Sequence, residues 1–394
     1  MMIWKEVSEL GLKIGVLKET FPGERRVAMV PRAMDLLTKA GAEVWIERGA
    51  GIPAGFRDSD YEAKGAKIAS SADDLRASAQ ILLAVRVEDS PRLTNTHVVI
   101  GMCDPLTDPR LSNDIAARKA TLFSMELIPR TTRAQSMDVL SSMASIAGYK
   151  AVLLAADTLP RMFPMMMTAA GTIPPARVLV LGAGVAGLQA IATAKRLGAV
   201  VSAYDVRSAV KEQIESLGAK FVTIDLGGAK GEGEGGYAKA LDEDTIRRQR
   251  EQMASVMREN DVVITTAAVP GRKAPLLITA DMARGMVPGS IIVDIAAERG
   301  GNCELTRAGE TVVDNGVSIV GPVNLASSIP YHASQMYARN IGTFLKNMIN
   351  KEGNLAINMD DEIVRETLVA RDGQLVQPKV KALFESMMDS GVPA

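Results

Sequence analysis

The strongest constraint on the fold lies in residues 176–207, where an apolar run leads directly into a glycine-rich turn. The run Val178–Leu181 is followed by Gly182-Ala183-Gly184-Val185-Ala186-Gly187, then by a helical pattern and a second apolar run, Val200–Tyr204. Asp205 ends that second run, about 18 residues past the last glycine. This order of strand, GxGxxG turn, helix, strand and acidic residue predicts a Rossmann βαβ unit that binds a dinucleotide.

The residues of this turn have separate physical roles in the predicted site. Gly182 permits the tight turn, Gly184 lets a pyrophosphate approach the backbone, and Gly187 lets the helix pack on the sheet. The helix begins at Val185 and Ala186, and its N-terminus would stabilise phosphates. A fortuitous glycine turn is the alternative, and the correct flanking elements argue against it.

Asp205 and its neighbours predict which dinucleotide binds. The Asp205 carboxylate would accept hydrogen bonds from the adenosine ribose hydroxyls and repel a 2′-phosphate, which favours NAD(H) over NADP(H). Val206 belongs to the same predicted site. Arg207 leaves the opposite preference open, because a nearby arginine can favour NADP(H).

Length, charge and rare residues narrow the class of protein. A chain of 394 residues predicts two domains, and a formal net charge of −1 gives no field that would recruit nucleic acid. Cys103 and Cys303 lie in no metal-like pattern, which predicts a reducing compartment without disulfides. His97 and His332 leave almost no ligands for zinc. Charges interrupt every apolar stretch, so we expect neither a signal peptide nor direct membrane insertion.

Alternating strand and helix patterns extend the α/β class to the whole chain. We predict two Rossmann-like, doubly wound parallel-sheet domains joined by long helices. Residues 1–140 form the first domain, which the tail 330–394 joins, and residues 141–329 form the second. Long helices are predicted over Thr131–Ala156 and Ser334–Asn350. The predicted strands are Lys13–Leu17, Glu43–Glu47, Ile81–Val85, Val98–Met102, Leu122–Met125, Val178–Leu181, Val200–Tyr204, Lys220–Ile224, Val262–Thr265, Ile291–Asp294 and Ser318–Val320.

A glycine-rich stretch at about 226–240 predicts a mobile loop in the second domain. A plain linker is equally compatible with this composition. Gly236 and Tyr237 lie at the end of the glycines, where an aromatic side chain could close over a ligand. Long loops inside compact domains are often lids.

Two further segments carry candidate site residues. Gln135, Asp138 and Ser141 are spaced by three, which predicts one helical face near Arg130, although a capped helix with solvated charges is the simpler explanation. Ala267 and Ala268 follow the predicted strand Val262–Thr265, and small residues there would leave room for a nicotinamide; a plain tight turn is equally compatible. The run Met165–Met167 is most simply part of a core or a hinge.

Several motifs together resemble a known family. They are RAQSMD at 133–138, SIAGYKAV at 145–152, YDVR at 204–207, GGNC at 300–303 and, most specific, the run FPMMMTAAGTIPPARVLVLGAGVAGLQAIATAKRLGA at 163–199. The chain is similar to the NAD(H)-binding component, the soluble first component of the alpha subunit, of proton-translocating NAD(P) transhydrogenase. That component belongs to the alanine dehydrogenase/transhydrogenase superfamily. The resemblance covers nearly the whole chain, from KIGVLKE at 13–19 to the tail helix.

The resemblance implies a set of catalytic and binding residues. Arg130, Gln135, Asp138 and Ser141 match the segment that lines the nicotinamide end, which also includes Ser136 and Met137. Tyr237 matches the tyrosine of a loop that folds over the nucleotide. The family component binds NAD(H), forms a homodimer, and docks with an NADP(H)-binding component and a membrane-spanning proton-channel component. This implies a cytoplasmic protein, peripheral on the inner face of the cytoplasmic membrane.

Two alternative functions remain open from the sequence. A free-standing alanine dehydrogenase shares the fold, but this chain has Arg86 where that family's reaction needs a lysine. It also has Cys103-Asp104 where that reaction needs a histidine. A non-catalytic NAD-sensing module is the other alternative.

Overall fold

The structure is a computed structural model in which residues 11–88, 92–224, 243–269 and 271–390 are described. The chain divides into two compact units. Unit 1 comprises residues up to Met143 together with those from Ser327 onward, and unit 2 comprises Ala144–Ala326. Each unit contains a largely parallel sheet with helices, so the prediction of an α/β fold with two Rossmann-like sheets is confirmed.

The strands of the described residues, in chain order, are β1 Lys13–Val16, β2 Glu43–Glu47, β3 Lys67–Ala69, β4 Ile81–Arg86, β5 Val98–Met102, β6 Thr121–Ser124, β7 Met166–Thr168, β8 Gly171–Ile173, β9 Arg177–Leu181, β10 Val200–Tyr204, β11 Lys220–Phe221, β12 Val262–Thr265, β13 Ile291–Asp294, β14 Thr311–Asp314, β15 Val317–Val320, β16 Leu368–Arg371 and β17 Gln374–Leu375.

The α-helices of the same residues are α1 Asp35–Thr38, α2 Asp58–Glu62, α3 Ala72–Ser78, α4 Arg110–Ala117, α5 Val139–Thr158, α6 Val185–Arg196, α7 Lys211–Ser216, α8 Glu243–Arg258, α9 Ala280–Arg284, α10 Pro330–Asn347, α11 Glu362–Thr367 and α12 Pro378–Asp389.

The sheet of unit 1 has the order β17-β16-β6-β5-β4-β1-β2-β3. Strands β1 to β6 form the parallel part of this sheet. Strand β16 pairs antiparallel with both β6 and β17. The parallel region therefore has the doubly wound order 3-2-1-4-5-6, with a switch point between β1 and β4. Helix α10 also belongs to unit 1: its buried Tyr337 hydroxyl donates a 2.8 Å hydrogen bond to the carbonyl of Ala84 on β4.

The sheet of unit 2 repeats this order as β11-β10-β9-β12-β13-β15, with β14 added antiparallel to β15. The carboxyl ends of four neighbouring strands are aligned, since Leu181 is in register with Tyr204 and Thr265, and Thr265 with Asp294. The switch point falls between β9 and β12. Residues that follow these strands therefore lie at one edge of the sheet, where doubly wound proteins bind ligands.

Local differences from the predicted elements have local causes. The helix predicted over Thr131–Ala156 begins only at Val139, because Thr132–Met137 forms a 3₁₀ helix and Asp138 is extended. The tail helix begins and ends a few residues earlier than predicted, at Pro330 and Asn347. The strand predicted over Lys220–Ile224 pairs only at its first two residues.

The methionine run lies on an exposed hairpin of unit 2. Strands β7 and β8 pair antiparallel, and all six of their residues are exposed. Met167 is 78% exposed. The expectation of a core role for Met165–Met167 is therefore wrong, because all three side chains are exposed. The expected hinge does not lie here either, since the chain passes from unit 1 to unit 2 between Met143 and Ala144.

Helix α5 is long and apolar enough to cross a membrane by length and composition, which we did not expect from the sequence. It carries Lys150 and Asp157, and its residues Ala151, Val152 and Ala155 are fully buried in the core of unit 2. Core helices of soluble proteins pass the same test of length and composition.

Candidate functional site

The glycine turn of unit 2 connects β9 to α6 at the switch point of the sheet. Gly182 has a φ of +98°, a left-handed value that favours glycine, and its N–H donates a 2.8 Å hydrogen bond to the Tyr204 carbonyl of β10. Gly184 is the N-cap residue of α6, and no side chain of the described chain caps this helix. The N–H groups of its first turn are therefore the groups that an anion would contact.

Two glycines allow close backbone packing around this turn. A Cβ atom on Gly187 would lie 1.9 Å from the Gly182 carbonyl oxygen. A Cβ atom on Gly148 of α5 would lie 2.1 Å from the Ala186 carbonyl oxygen. Gly148 was not among the predicted site residues. Its lack of a side chain lets α5 pack directly against the first turn of α6.

Asp205 follows β10 and faces the glycine turn. Its Oδ2 accepts a 2.7 Å hydrogen bond from the Ala183 N–H. Arg207 donates its backbone N–H at 2.9 Å and its Nε at 3.0 Å to Oδ1, and its Nη2 at 3.0 Å to Oδ2. Burial alone would raise the pKa of Asp205, but these hydrogen bonds outweigh it and hold the pKa below its ordinary value. The carboxylate is therefore ionised and oriented beside the turn.

The loop after β12 lies next to the glycine turn. The Thr266 hydroxyl is within hydrogen-bond distance of the carbonyl oxygens of Leu181 and Gly182, at 3.3 and 3.1 Å. Ala267 is half-buried and Ala268 is exposed. The structure thus brings Gly182, Asp205 and Ala267 to one edge of the unit 2 sheet, while Val206 follows Asp205 in the chain.

In unit 1, Asp138 is a helix cap rather than a member of a helical face. Its carboxylate accepts the N–H of Ser141 at 2.9 Å and the Ser141 hydroxyl at 2.6 Å, and its carbonyl accepts the N–H of Ser142. The prediction that Gln135, Asp138 and Ser141 share one helical face is wrong, because an aspartate that bonds to the N–H groups ahead of it begins a helix.

The segment before this cap is attached to the tail of the chain. Arg133 pairs with Asp361 through both of its terminal nitrogens, and Asn347 donates a 2.9 Å hydrogen bond to the same carboxylate. The pKa of Asp361 falls to about 2, mainly because of the Arg133 hydrogen bonds. Asn340 of α10 donates a 2.8 Å hydrogen bond to the Ser136 carbonyl.

The predicted site residues of this segment differ in their exposure. Arg130, Gln135 and Ser136 are exposed, Asp138 and Ser141 are half-buried, and Met137 is buried. The predicted site residues Gly236 and Tyr237 and the predicted loop 226–240 lie outside the described residues.

The switch point of unit 1 is filled by charged side chains of its own. Glu24 is fully buried and accepts Nε of Arg26 at 2.7 Å and Nη2 at 2.6 Å. Glu19 accepts the N–H groups of Val85 and Arg86 at 2.6 and 3.0 Å. Burial raises the pKa of Glu19 to about 7, although these backbone hydrogen bonds oppose the shift. The Arg26 guanidinium is therefore engaged by a carboxylate of the chain itself.

Arg86 stands at the position of a dehydrogenase's lysine, and Cys103-Asp104 at the position of its histidine. Burial raises the pKa of the Cys103 thiol well above its usual value, so the thiol is protonated. His97 precedes β5, at the opposite edge of the sheet, where its ring nitrogens bond to the Thr94 N–H and the Arg76 carbonyl. Within the described ranges, no group of three or more histidine, cysteine, aspartate or glutamate residues could hold a metal ion.

A doubly wound sheet with a glycine turn at its switch point and an ionised aspartate after the next strand defines a dinucleotide-binding α/β protein. Comparisons with known proteins agree. The family model described as alanine dehydrogenase/PNT, N-terminal domain, matches residues 15–147, and the C-terminal model matches residues 151–378. The chain belongs to the alanine dehydrogenase/PNT family, as its motifs predict.

Within this family the chain is more similar to transhydrogenases than to alanine dehydrogenases. It is 46% identical over 377 residues to a Rhodospirillum rubrum protein named as the first part of NAD(P) transhydrogenase subunit alpha, and the match covers 93% of this chain and 98% of that protein. A crystal structure of transhydrogenase from Sinorhizobium meliloti matches with a TM-score of 0.81 and 42% identity, over 93% of this chain and 99% of that one. An alanine dehydrogenase of Halomonas elongata is 28% identical, over 95% of this chain and 97% of that protein.

Proposed function

We propose that this chain is the NAD(H)-binding subunit of a proton-translocating NAD(P) transhydrogenase. It transfers hydride directly between NADH and the NADP⁺ held by a partner component, and membrane subunits couple the transfer to proton translocation. The observation that carries the proposal is the ionised Asp205 beside the glycine turn, in a chain 46% identical to a transhydrogenase subunit.

The dinucleotide is bound at the switch point of unit 2. The first-turn N–H groups of α6, which begins at Val185 and Ala186, bind the pyrophosphate. Asp205 accepts the adenosine ribose hydroxyls and repels a 2′-phosphate, so NAD(H) is preferred over NADP(H). Ala267 and Ala268 leave room for the nicotinamide. Gly236 and Tyr237, which lie outside the described residues, belong to the same proposed site.

The segment Arg130–Ser141 binds and orients the nicotinamide carboxamide. Arg130 and Gln135 donate to its oxygen, and Asp138 accepts from its amide nitrogen. The exposure of Arg130 and Gln135 in unit 1 is compatible with this role, since both side chains are accessible to a ligand.

The reaction itself explains why the site needs no general base. Hydride transfer between two nicotinamides moves no proton at the reacting carbon, so the protein must only hold the rings at about 3–3.5 Å and exclude water. Oxidation of an amino acid would require a base beside the nicotinamide. The protonated Cys103 thiol, at the position of that family's histidine, argues against that alternative.

The partners follow from the proposed reaction and from one exposed surface. An NADP(H)-binding component supplies the second ring, and a membrane-spanning component conducts protons, which places this chain in the cytoplasm on the inner face of the membrane without direct insertion. The hairpin β7–β8 presents Met166, Met167 and Ile173 to solvent. Exposed apolar patches of this kind mark protein contacts, and we assign this one to a second copy of the chain in a homodimer.

A mixing experiment tests the proposal. The purified chain is combined with an NADP(H)-binding transhydrogenase component, and hydride transfer from NADH to an NADP⁺ analogue is followed by absorbance. We expect transfer only in the mixture, and no oxidation of alanine or reduction of pyruvate by the chain alone. Alanine-dependent turnover would establish the dehydrogenase alternative, and NADH binding without any transfer would establish a sensing module.

A further inference from the structure

The side chain of Asn302, in the GGNC segment, holds both polar backbone groups of Ala267. Its Oδ1 accepts the Ala267 N–H at 3.1 Å, and its Nδ2 donates to the Ala267 carbonyl at 2.8 Å. Nδ2 also donates to the Pro275 carbonyl at 2.8 Å. One fully buried amide therefore ties the beginning of the loop after β12 to its end.

A buried carboxylate fixes Asn302 in turn. Asp294, at the end of β13, is fully buried and accepts the N–H groups of Asn302 and Cys303 at 2.7 and 3.1 Å. It also accepts the hydroxyls of Thr265 and Thr306, at 2.9 and 2.7 Å. With its donors and acceptors satisfied, this cluster is rigid rather than adaptable.

The cluster reaches the glycine turn through the residue before Ala267. The Thr266 hydroxyl bonds to the carbonyls that begin the turn, at Leu181 and Gly182. Asp205 lies beyond β9 on the β10 side, and Asn302 and Ala267 lie on the β12–β13 side. A dinucleotide whose pyrophosphate lies on the glycine turn and whose adenosine ribose reaches Asp205 must extend its other half toward Ala267.

We propose that Asn302 is a positioning residue that fixes the Ala267–Ala268 backbone against which the nicotinamide half of the dinucleotide is held. The inference rests on the proposed function. Asn302 acts through Ala267 and touches no reacting atom itself. Its loss should therefore lower the rate of hydride transfer more than the affinity for NADH, because phosphate and ribose contacts are made elsewhere.

The test compares Asn302→Asp with wild type at about pH 6 and about pH 8. The introduced carboxyl is nearly the same shape, but when ionised it places an oxygen against the carbonyls of Ala267 and Pro275. Burial disfavours ionisation of the introduced carboxyl, and so does the negative charge of Asp294, which accepts the backbone N–H of the same residue. The positive charge of Lys273, whose stem passes over Gly300, favours ionisation. We expect transfer with the partner component to fall up to about a hundredfold at the higher pH. It should recover in part at the lower pH, because the neutral carboxyl can donate one of the two hydrogen bonds that Nδ2 of Asn302 donates.

Two variants and two further measurements make the result decisive. Asn302→Ser removes all three hydrogen bonds of the asparagine amide without adding a charge, so the rate should fall equally at both pH values. Asn260→Ser removes another buried asparagine amide, which donates to the Val256 carbonyl just before β12, at the opposite edge of the sheet. It should therefore lower the melting temperature and leave transfer unchanged. The dissociation constant for NADH, measured by fluorescence titration, should change by less than about threefold.

The outcomes separate this inference from the function on which it rests. A wild-type chain that transfers no hydride would overturn the proposed function and this inference with it. Wild-type transfer together with undiminished, pH-independent transfer in Asn302→Asp and Asn302→Ser would overturn the inference alone. A loss of transfer in Asn260→Ser as large as in Asn302→Ser would also overturn it, because general loosening of unit 2 would then explain the effect.

Discussion

Arg207 covers the carboxylate of Asp205, with its Nε 3.0 Å from Oδ1 and its Nη2 3.0 Å from Oδ2. The two oxygens that would bind the adenosine ribose are thus already bonded to a guanidinium. Ribose hydroxyls must share or replace these bonds. A guanidinium released from Asp205 is also the group that would attract a 2′-phosphate. The Asp205–Arg207 ion pair therefore affects the affinity for NAD(H) and the affinity for NADP(H).

Replacing Asp205 should therefore change specificity through Arg207. In Asp205→Ala, NADH loses a hydrogen bond to a charged group, worth about 1.5–3 kcal/mol, and its affinity should fall at least about tenfold. NADPH should bind more tightly than to wild type, because a guanidinium that no longer bonds to Asp205 can bond to the 2′-phosphate. Fluorescence titrations with both nucleotides measure this. The double variant Asp205→Ala/Arg207→Ala should lose the NADPH gain, and equal wild-type affinities for the two nucleotides would refute the role of Asp205.

Two glycines of the turn should respond differently to alanine. A methyl group on Gly187 would lie 1.9 Å from the Gly182 carbonyl oxygen, so Gly187→Ala should lower the melting temperature sharply. Gly184 has a φ of −75° and no atom within 4 Å of an added Cβ, so Gly184→Ala should fold as wild type does. Its NADH affinity should nevertheless fall at least about tenfold, because the methyl group occupies the approach of the pyrophosphate. Unchanged affinity in Gly184→Ala would place the phosphates elsewhere.

Substitutions of Asp138 can distinguish its role as the cap of α5 from its proposed contact with the nicotinamide carboxamide. Asparagine caps helices about as well as aspartate, so Asp138→Asn should cost less than about 1 kcal/mol of stability. Transfer with the partner component should still fall up to about a hundredfold, because the amide cannot orient Arg130 or accept from the carboxamide as a carboxylate does. Gln135→Asn should lower the rate similarly, and Arg130→Ala at least as much.

The affinity of NADH separates this role from a binding role. We expect it to stay within a few-fold of wild type in all three variants, measured by equilibrium titration. Asp138→Ala provides the structural control, since it removes the cap as well and should lower stability by about 1 kcal/mol. Rates that match wild type in Asp138→Asn would show that the residue serves the helix alone.

Glu19 should make the stability of unit 1 depend on pH. Burial raises its pKa from 4.5 to about 7, so the folded state binds this proton more tightly than the unfolded state does. Its contribution is therefore fully present below about pH 4.5 and is lost as the pH rises through about 7, by roughly 3 kcal/mol. Urea unfolding of Glu19→Gln should show a shallower fall of the free energy of unfolding across this window.

Glu43→Gln is the matched control for that measurement. Its hydrogen bond from Lys67 lowers the pKa of Glu43, so the stability it contributes is lost only as the pH falls below the ordinary carboxyl range. The slope between about pH 5 and 8 should be that of wild type. A Glu19→Gln slope equal to wild type would show that Glu19 is not protonated in the folded chain.

The sequence predicts well the regions of this fold that depend on apolar patterning. Strands β5, β12 and β13 begin and end where predicted, because strands buried on both faces are nearly continuous runs of apolar residues. The helix predicted from Thr131 fails for a different reason. Its residues all tolerate a helix, but the side-chain hydrogen bonds of Asp138 to Ser141 cap α5 at this point, and Asn340 of the distant helix α10 bonds to the Ser136 carbonyl just before it.

The residues of the candidate site also differ in whether the sequence alone can identify them. Gly182, Gly184, Gly187 and Asp205 can be recognised in the sequence because their spacing follows from the geometry of one βαβ unit. Asn302 and Gly148 have no such local signature, since their partners Ala267 and Ala186 are more than thirty positions away. Contacts between distant segments of this kind become visible only once the sheet has brought the segments together. The glycines of the GGNC and SIAGYKAV motifs were the available hint.

Unit 1 is assembled from both ends of the chain, whereas unit 2 is one continuous segment. During synthesis on the ribosome, β6 therefore emerges long before β16, the strand that pairs with it, and β4 emerges long before Tyr337. All residues of unit 2 are synthesised before the tail that completes unit 1. The usual order, in which the N-terminal domain folds first, is therefore reversed here. A nascent or truncated chain that ends near residue 326 should carry a folded second unit beside an unfinished first sheet. The open edge of that sheet would make such a chain a substrate for chaperones and a source of aggregation.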